Sequence, residues 1–121
     1  MKKIILSFML IASSSLFAKS AKTILKENNC MKCHSIRGMK SAPPFSMITK
    51  MNSGWFGTST KEIKNSIKNG SQGKYPMFSS SKMPSYENLS EKELDTIVIW
   101  LESQAQQGMK HKKTHNRKMM N

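Results

Sequence analysis

The chain has 121 residues, 20 Lys and Arg against 7 Asp and Glu, a formal charge of +13, and 37% hydrophobic side chains. That length holds one small domain, and so thin an apolar supply calls for a staple such as a disulfide, metal or cofactor. Two cysteines allow one disulfide at most, which excludes a cysteine-rich scaffold, and the length excludes a multidomain enzyme.

Met1–Ala18 reads as a signal peptide. Lys2 and Lys3 precede the apolar run Ile4–Ala12, and Leu16-Phe17-Ala18 ends on a small residue at the cleavage point. The run is too short for the ~20 apolar residues of a spanning helix, and no second apolar run follows. No cysteine follows it closely, so a lipoprotein anchor is not expected. The mature chain is expected to be Lys19–Asn121, exported to the periplasm. Export also changes the meaning of the charge: acidic proteins and anionic membrane surfaces replace nucleic acid as partners. No zinc-finger, RNP or helix-turn-helix pattern competes.

Ser20–Asn29 has a capping serine and an apolar patch at Ile24 and Leu25, and is expected to be a short helix. Next comes Cys30-Met31-Lys32-Cys33-His34, which holds both cysteines. A thioredoxin-like dithiol would follow a strand, and no strand pattern lies upstream. A structural zinc site needs four ligands, and the other histidines, His111 and His115, lie in a charged tail. Covalent heme attachment needs this spacing: two thiols add to the heme vinyl groups and the adjacent His34 turns to the iron. Heme is the reading that meets every requirement.

Phe45–Met51 is expected to be helical, with Met47, Ile48 and Met51 on its core face. Ser59-Thr60-Lys61-Glu62 has capping-box spacing ahead of Ile63 and Ile67, and Asn69-Gly70 ends that helix. Among candidates for a sixth iron ligand, Met31 and Met39 lie too close to His34. Met109, Met119 and Met120 belong to the tail region. Met83 has the better setting, followed by Pro84 and preceded by a polar run; Met77 and an open iron are the alternatives. Ser90-Glu91-Lys92-Glu93 opens the last helix, with Leu94, Ile97, Val98 and Leu101 at i, i+3, i+4 and i+7 and Trp100 as a core residue. No stretch alternates long enough for a strand. The fold class is all-α, four to five short helices around a cofactor. Gly108–Asn121 carries Lys110, Lys112, Lys113, Arg117 and Lys118 with no acid and is expected to be disordered. Residues 19–107 then form the domain. Of the +13, two charges belong to the leader and five to the tail, which leaves +6 on the domain between.

Taken together, Cys30–His34, Ala42-Pro43-Pro44-Phe45, Ile67–Gly73, Met83-Pro84 and the Trp100 helix resemble a class I cytochrome c, a small bacterial periplasmic monoheme electron carrier. The resemblance covers roughly Ser20 to Gln106. It implies the cytochrome c fold with one covalent heme c, thioether links at Cys30 and Cys33, and His34 and Met83 as axial ligands. It also implies that the Pro43 carbonyl accepts a hydrogen bond from His34 and that Tyr75 bonds a heme propionate. Ser66 departs from the pattern, standing where relatives often carry an arginine near the propionates, and the Tyr75–Met83 segment is longer than usual.

A His/Met heme transforms no substrate, so the expected activity is not enzymatic: it is the shuttling of single electrons between respiratory redox partners. Lys32, Arg37, Lys40, Lys74 and Lys82 are the candidates for docking acidic surfaces of an oxidase, peroxidase, reductase or cytochrome complex. The basic tail is a candidate for anionic membrane. The alternative function is a heme c subunit of a larger periplasmic oxidoreductase, for example in sulfur-compound oxidation; a gas-binding sensor would need an open iron.

Overall fold

The computed structural model describes residues 18–52 and 60–120. The leader up to residue 17 and the capping residue Ser59 lie outside the described residues. Helix α1 spans Ala21–Glu27. The Ser20 hydroxyl accepts from the Thr23 amide at 3.3 Å, and Ala21, Ile24 and Leu25 face inward. The helix ends before the expected Asn29 because two asparagines stop it. Asn28 turns its side-chain amide onto the Ile24 carbonyl at 2.8 Å, and Asn29 takes a left-handed φ of 56°, a conformation asparagine tolerates better than most residues. A 3-10 turn, Cys30–Lys32, follows directly.

Helices α2 (Phe45–Asn52), α3 (Thr60–Asn69) and α4 (Glu91–Met119) complete the helical framework. The core face of α2 differs from the expected one. Phe45 is buried and Ile48 packs against the core, whereas Met47 is exposed. The helix begins at Phe45, so the i, i+3 pair Phe45 and Ile48 sets the inward face and turns Met47 away. Between α3 and α4 lie two strands too short for sequence alternation to reveal. β1 (Ser71–Gln72) and β2 (Lys82–Met83) pair antiparallel with Ser71 opposite Met83. A second 3-10 turn, Pro76–Phe78, occupies the loop between them. Among the described residues, four helices against one two-residue ladder make the fold all-α.

The core joins Ile24 and Leu25 of α1, Phe45 of α2, Ile63 and Ile67 of α3 and Leu94, Ile97, Val98 and Leu101 of α4. Leu94 is fully buried, which is worth roughly 1.5–3 kcal/mol relative to exposure. Lys64 of α3 pairs with Asp95 and Glu91 of α4, and Lys68 with Glu91. At the start of α4 the capping box is complete: the Ser90 amide donates to Glu93 at 2.9 Å, and the Glu93 amide to the Ser90 hydroxyl at 3.2 Å.

The tail is not the disordered segment its charge implied. α4 runs unbroken through Gly108 to Met119. Lys, Arg and Met are good helix formers and the segment holds no proline; one interior glycine costs only about 1 kcal/mol. What changes near residue 108 is burial, not secondary structure. Inward-facing positions continue to Gln104 and Ala105, and beyond Gly108 every described side chain of the helix is exposed. No helix among the described residues is long and apolar enough to cross a membrane.

Candidate cofactor site

An open cleft is walled by Ile24 and Leu25 of α1, Ile63 and Ile67 of α3, and Ile97 and Leu101 of α4. Cys30, Cys33 and His34 line it too, as do Pro43, Tyr75 and Met83. All six site residues singled out from the sequence therefore meet on one surface, although they span more than fifty positions.

The 3-10 turn builds the first wall. The amides of Cys33 and His34 both donate to the Cys30 carbonyl, at 3.4 and 3.0 Å, which packs the two thiols and the imidazole into one short loop. Cys30 is half-buried and Cys33 exposed. Burial pushes the Cys30 thiol up, and the neighbouring Cys33 adds to the effect. The motif follows a helix instead of a strand, which argues against a thioredoxin-like dithiol. Among the described residues no group of three or more His, Cys, Asp or Glu is placed to hold a metal ion.

His34 is 8% exposed, and its Nδ1 lies 2.7 Å from the Pro43 carbonyl. A carbonyl can only accept, so Nδ1 carries the proton and Nε2 keeps the lone pair a metal requires. Burial pulls the imidazole below its ordinary pKa, opposed by the Pro43 bond; burial favours the neutral ring, and the Pro43 bond selects which nitrogen is left free. The loop that brings Pro43 back is tied by backbone bonds from Ala42 to Cys33 (3.1 Å) and from Phe45 to Ser35 (2.8 Å).

Phe45 has a role the sequence did not signal. Its ring stacks on His34 with centroids 5.0 Å apart, and Trp100 meets Phe45 edge-on at 5.2 Å. Trp100 is half-buried, so besides covering the core it backs the ring that backs the imidazole. Helical periodicity marks both as apolar positions but carries no information on contacts between distant segments.

Met83 lies on the opposite stretch of chain, in β2, partly buried against the core. Three features hold it. Ser71 pairs with it across the ladder. Gly70, at φ 78°, lets the chain turn where a Cβ would stand 2.7 Å from the Met83 carbonyl oxygen. The Ser81 hydroxyl donates to the Ser41 carbonyl, which ties the long serine-rich loop to the His34 side of the cleft. Met77 is 73% exposed and does not line the cleft.

Tyr75 lines the cleft and caps the second 3-10 turn. Beside it, the half-buried Lys74 donates to the Ser66 hydroxyl at 3.0 Å. Of the other basic candidates, Lys32, Arg37, Lys40 and Lys82 are exposed, and the Lys40 ammonium donates to the Met31 carbonyl at 3.0 Å.

An apolar cleft with two thiols and a neutral, oriented imidazole on one wall fits a covalently attached heme. A family profile described as Cytochrome c matches residues 18–105. The chain belongs to the cytochrome c family. This cytochrome therefore carries one covalently attached heme c, with which the Cys30-x-x-Cys33 spacing is consistent, and its chemistry is that of electron transport. Its fold is similar to that of the class 1 cytochrome MtoD from Sideroxydans lithotrophicus ES-1. The two share 19% identity over 70% of this chain and 92% of that one, with a TM-score of 0.54. No curated protein matches the chain.

Proposed function

We propose that this cytochrome is an exported periplasmic carrier that passes single electrons between respiratory redox partners through a heme ligated by His34 and Met83. The observation that carries the reading is the shared cleft: His34 and Met83 line it, and Met77 does not. His34 and Met83 would hold the heme iron, and the bound heme would supply an Fe(III)/Fe(II) couple whose potential a methionine ligand would raise. The chain's own residues hold that couple steady. Pro43 fixes the His34 tautomer, Phe45 and Trp100 limit the tilt of its ring, and the isoleucine and leucine walls keep water out. Exposed Lys32, Arg37 and Lys82 suit acidic docking surfaces, and the basic end of α4 suits an anionic membrane.

The test is the visible spectrum of the oxidised holoprotein. A weak far-red band from methionine ligation should be present in the wild type, lost in Met83→Ala and kept in Met77→Ala. Its absence from the wild type would refute the ligand assignment. Export is tested by the N-terminus of the mature protein recovered from the periplasm, expected at Lys19. Copurification with a stable partner enzyme would replace the free carrier with the subunit reading.

A further inference from the structure

Heme c brings two carboxylates into a cleft that is otherwise apolar, and each buried carboxylate needs a cation or donors to stay ionised. Among the described residues, and His34 apart, only Lys74 and Lys82 bring charged side chains to the cleft lining, and no acid does. The two lysines are unlike each other. Lys82 is exposed, in β2. Lys74 is half-buried and held from two sides: it donates to the Ser66 hydroxyl at 3.0 Å, and its ammonium lies 5.8 Å from the centre of the Tyr75 ring, within cation–π range. Ser66 and Tyr75 both line the cleft. The lysine is therefore pre-oriented at the cleft wall, which lowers the entropy lost when it meets an anion.

We propose that Lys74, positioned by Ser66, is the cation that pairs with a heme propionate in this cytochrome. The small Ser66 side chain leaves room at α3, and the lysine fills it from the loop that follows β1. Lys74 then belongs to the cofactor site and leaves the set of docking residues. The inference rests on the bound heme and is independent of which methionine ligates it.

A cation beside a propionate stabilises the reduced heme relative to the more positive oxidised one, and it keeps the propionate ionised. The experiment uses the full-chain holoprotein, with covalent heme content measured first by the alkaline pyridine spectrum. Reduction potentials are then followed across pH for the wild type and for Lys74→Gln, Ser66→Ala, Lys74→Arg and Lys82→Gln, each on its heme-replete fraction. Lys74→Gln should lower the ferrous-to-ferric ratio at fixed electrode potential by about three- to tenfold, tenfold being 59 mV for one electron. It should also introduce a pH-dependent step between about pH 5 and 8 as the unpaired propionate takes up a proton. Ser66→Ala should move both readouts the same way by less, and Lys74→Arg should restore the wild-type profile. A Lys74→Gln profile matching the wild type, or a shift no larger than that of Lys82→Gln, would overturn the proposal. A wild type without covalent heme would instead remove the heme assignment beneath it.

Discussion

Replacing Gly70 by alanine tests how the Met83 segment is held. The backbone at Gly70 sits at φ 78°, where an L-side chain costs about 1–2 kcal/mol. The new Cβ would stand 2.7 Å from the Met83 carbonyl oxygen and 3.2 Å from both the Pro84 carbonyl carbon and the Ser85 nitrogen. All three are backbone atoms, so no rotamer change relieves the contact, and overpacking of this kind costs about 1–3 kcal/mol. Lower entropy in the unfolded chain returns about 0.4–1 kcal/mol. The net loss is then about 1–4.6 kcal/mol, a fall in Tm of about 4 °C or more for a domain of this size. Gly108→Ala is the control with the opposite sign. A Cβ added at Gly108, inside α4, would meet only ordinary contacts of 3.7 and 3.9 Å with the side chains of Lys50 and Ser46, so alanine should stabilise the helix by up to about 1 kcal/mol. Thermal unfolding of the two holoproteins gives both values, and the far-red band should weaken in Gly70→Ala alone. Equal Tm values for the two variants, or an unchanged band in Gly70→Ala, would refute the idea that Gly70 sets the place of Met83.

Leu94→Ala removes a fully buried side chain at the centre of the core and should cost about 2–5 kcal/mol in denaturant unfolding. Deleting residues from Gly108 onward should reduce the far-ultraviolet helical signal yet leave Tm within a few degrees, because the described side chains removed are exposed apart from the half-buried Gly108 itself. The same deletion should weaken binding to vesicles of anionic lipid at low salt, and unchanged binding would leave the basic end of α4 without a membrane role.

The legible parts of this chain are those encoded locally. Cys30, Cys33 and His34 lie within five positions, and Ser90 and Glu93 form their capping box within a single turn. The Pro43 bond to His34 came from family resemblance, since a nine-residue loop carries no geometric signal of its own. What escaped sequence reading is non-local. The Ser71–Met83 pairing spans twelve positions between strands of two residues, too short for a period. Lys74 reaches Ser66 only because Gly70 and Gly73, both at positive φ, bend the chain between them. The helical tail differs for another reason: charge density argues for disorder, while the same lysines and arginine have high helix propensity, and continuity with a well-capped helix decides between them.

That continuity gives the molecule a lever. From Leu101 on the cleft wall to Arg117 is roughly 24 Å along the axis of α4 at the usual helical rise, with no acidic residue after Glu102. The centre of charge is therefore displaced from the centre of mass. An anionic surface then exerts a torque on the protein as well as an attraction, and turns it before contact is made. How often an encounter presents the heme edge, and not merely how often encounters occur, becomes a property written into the length of one helix.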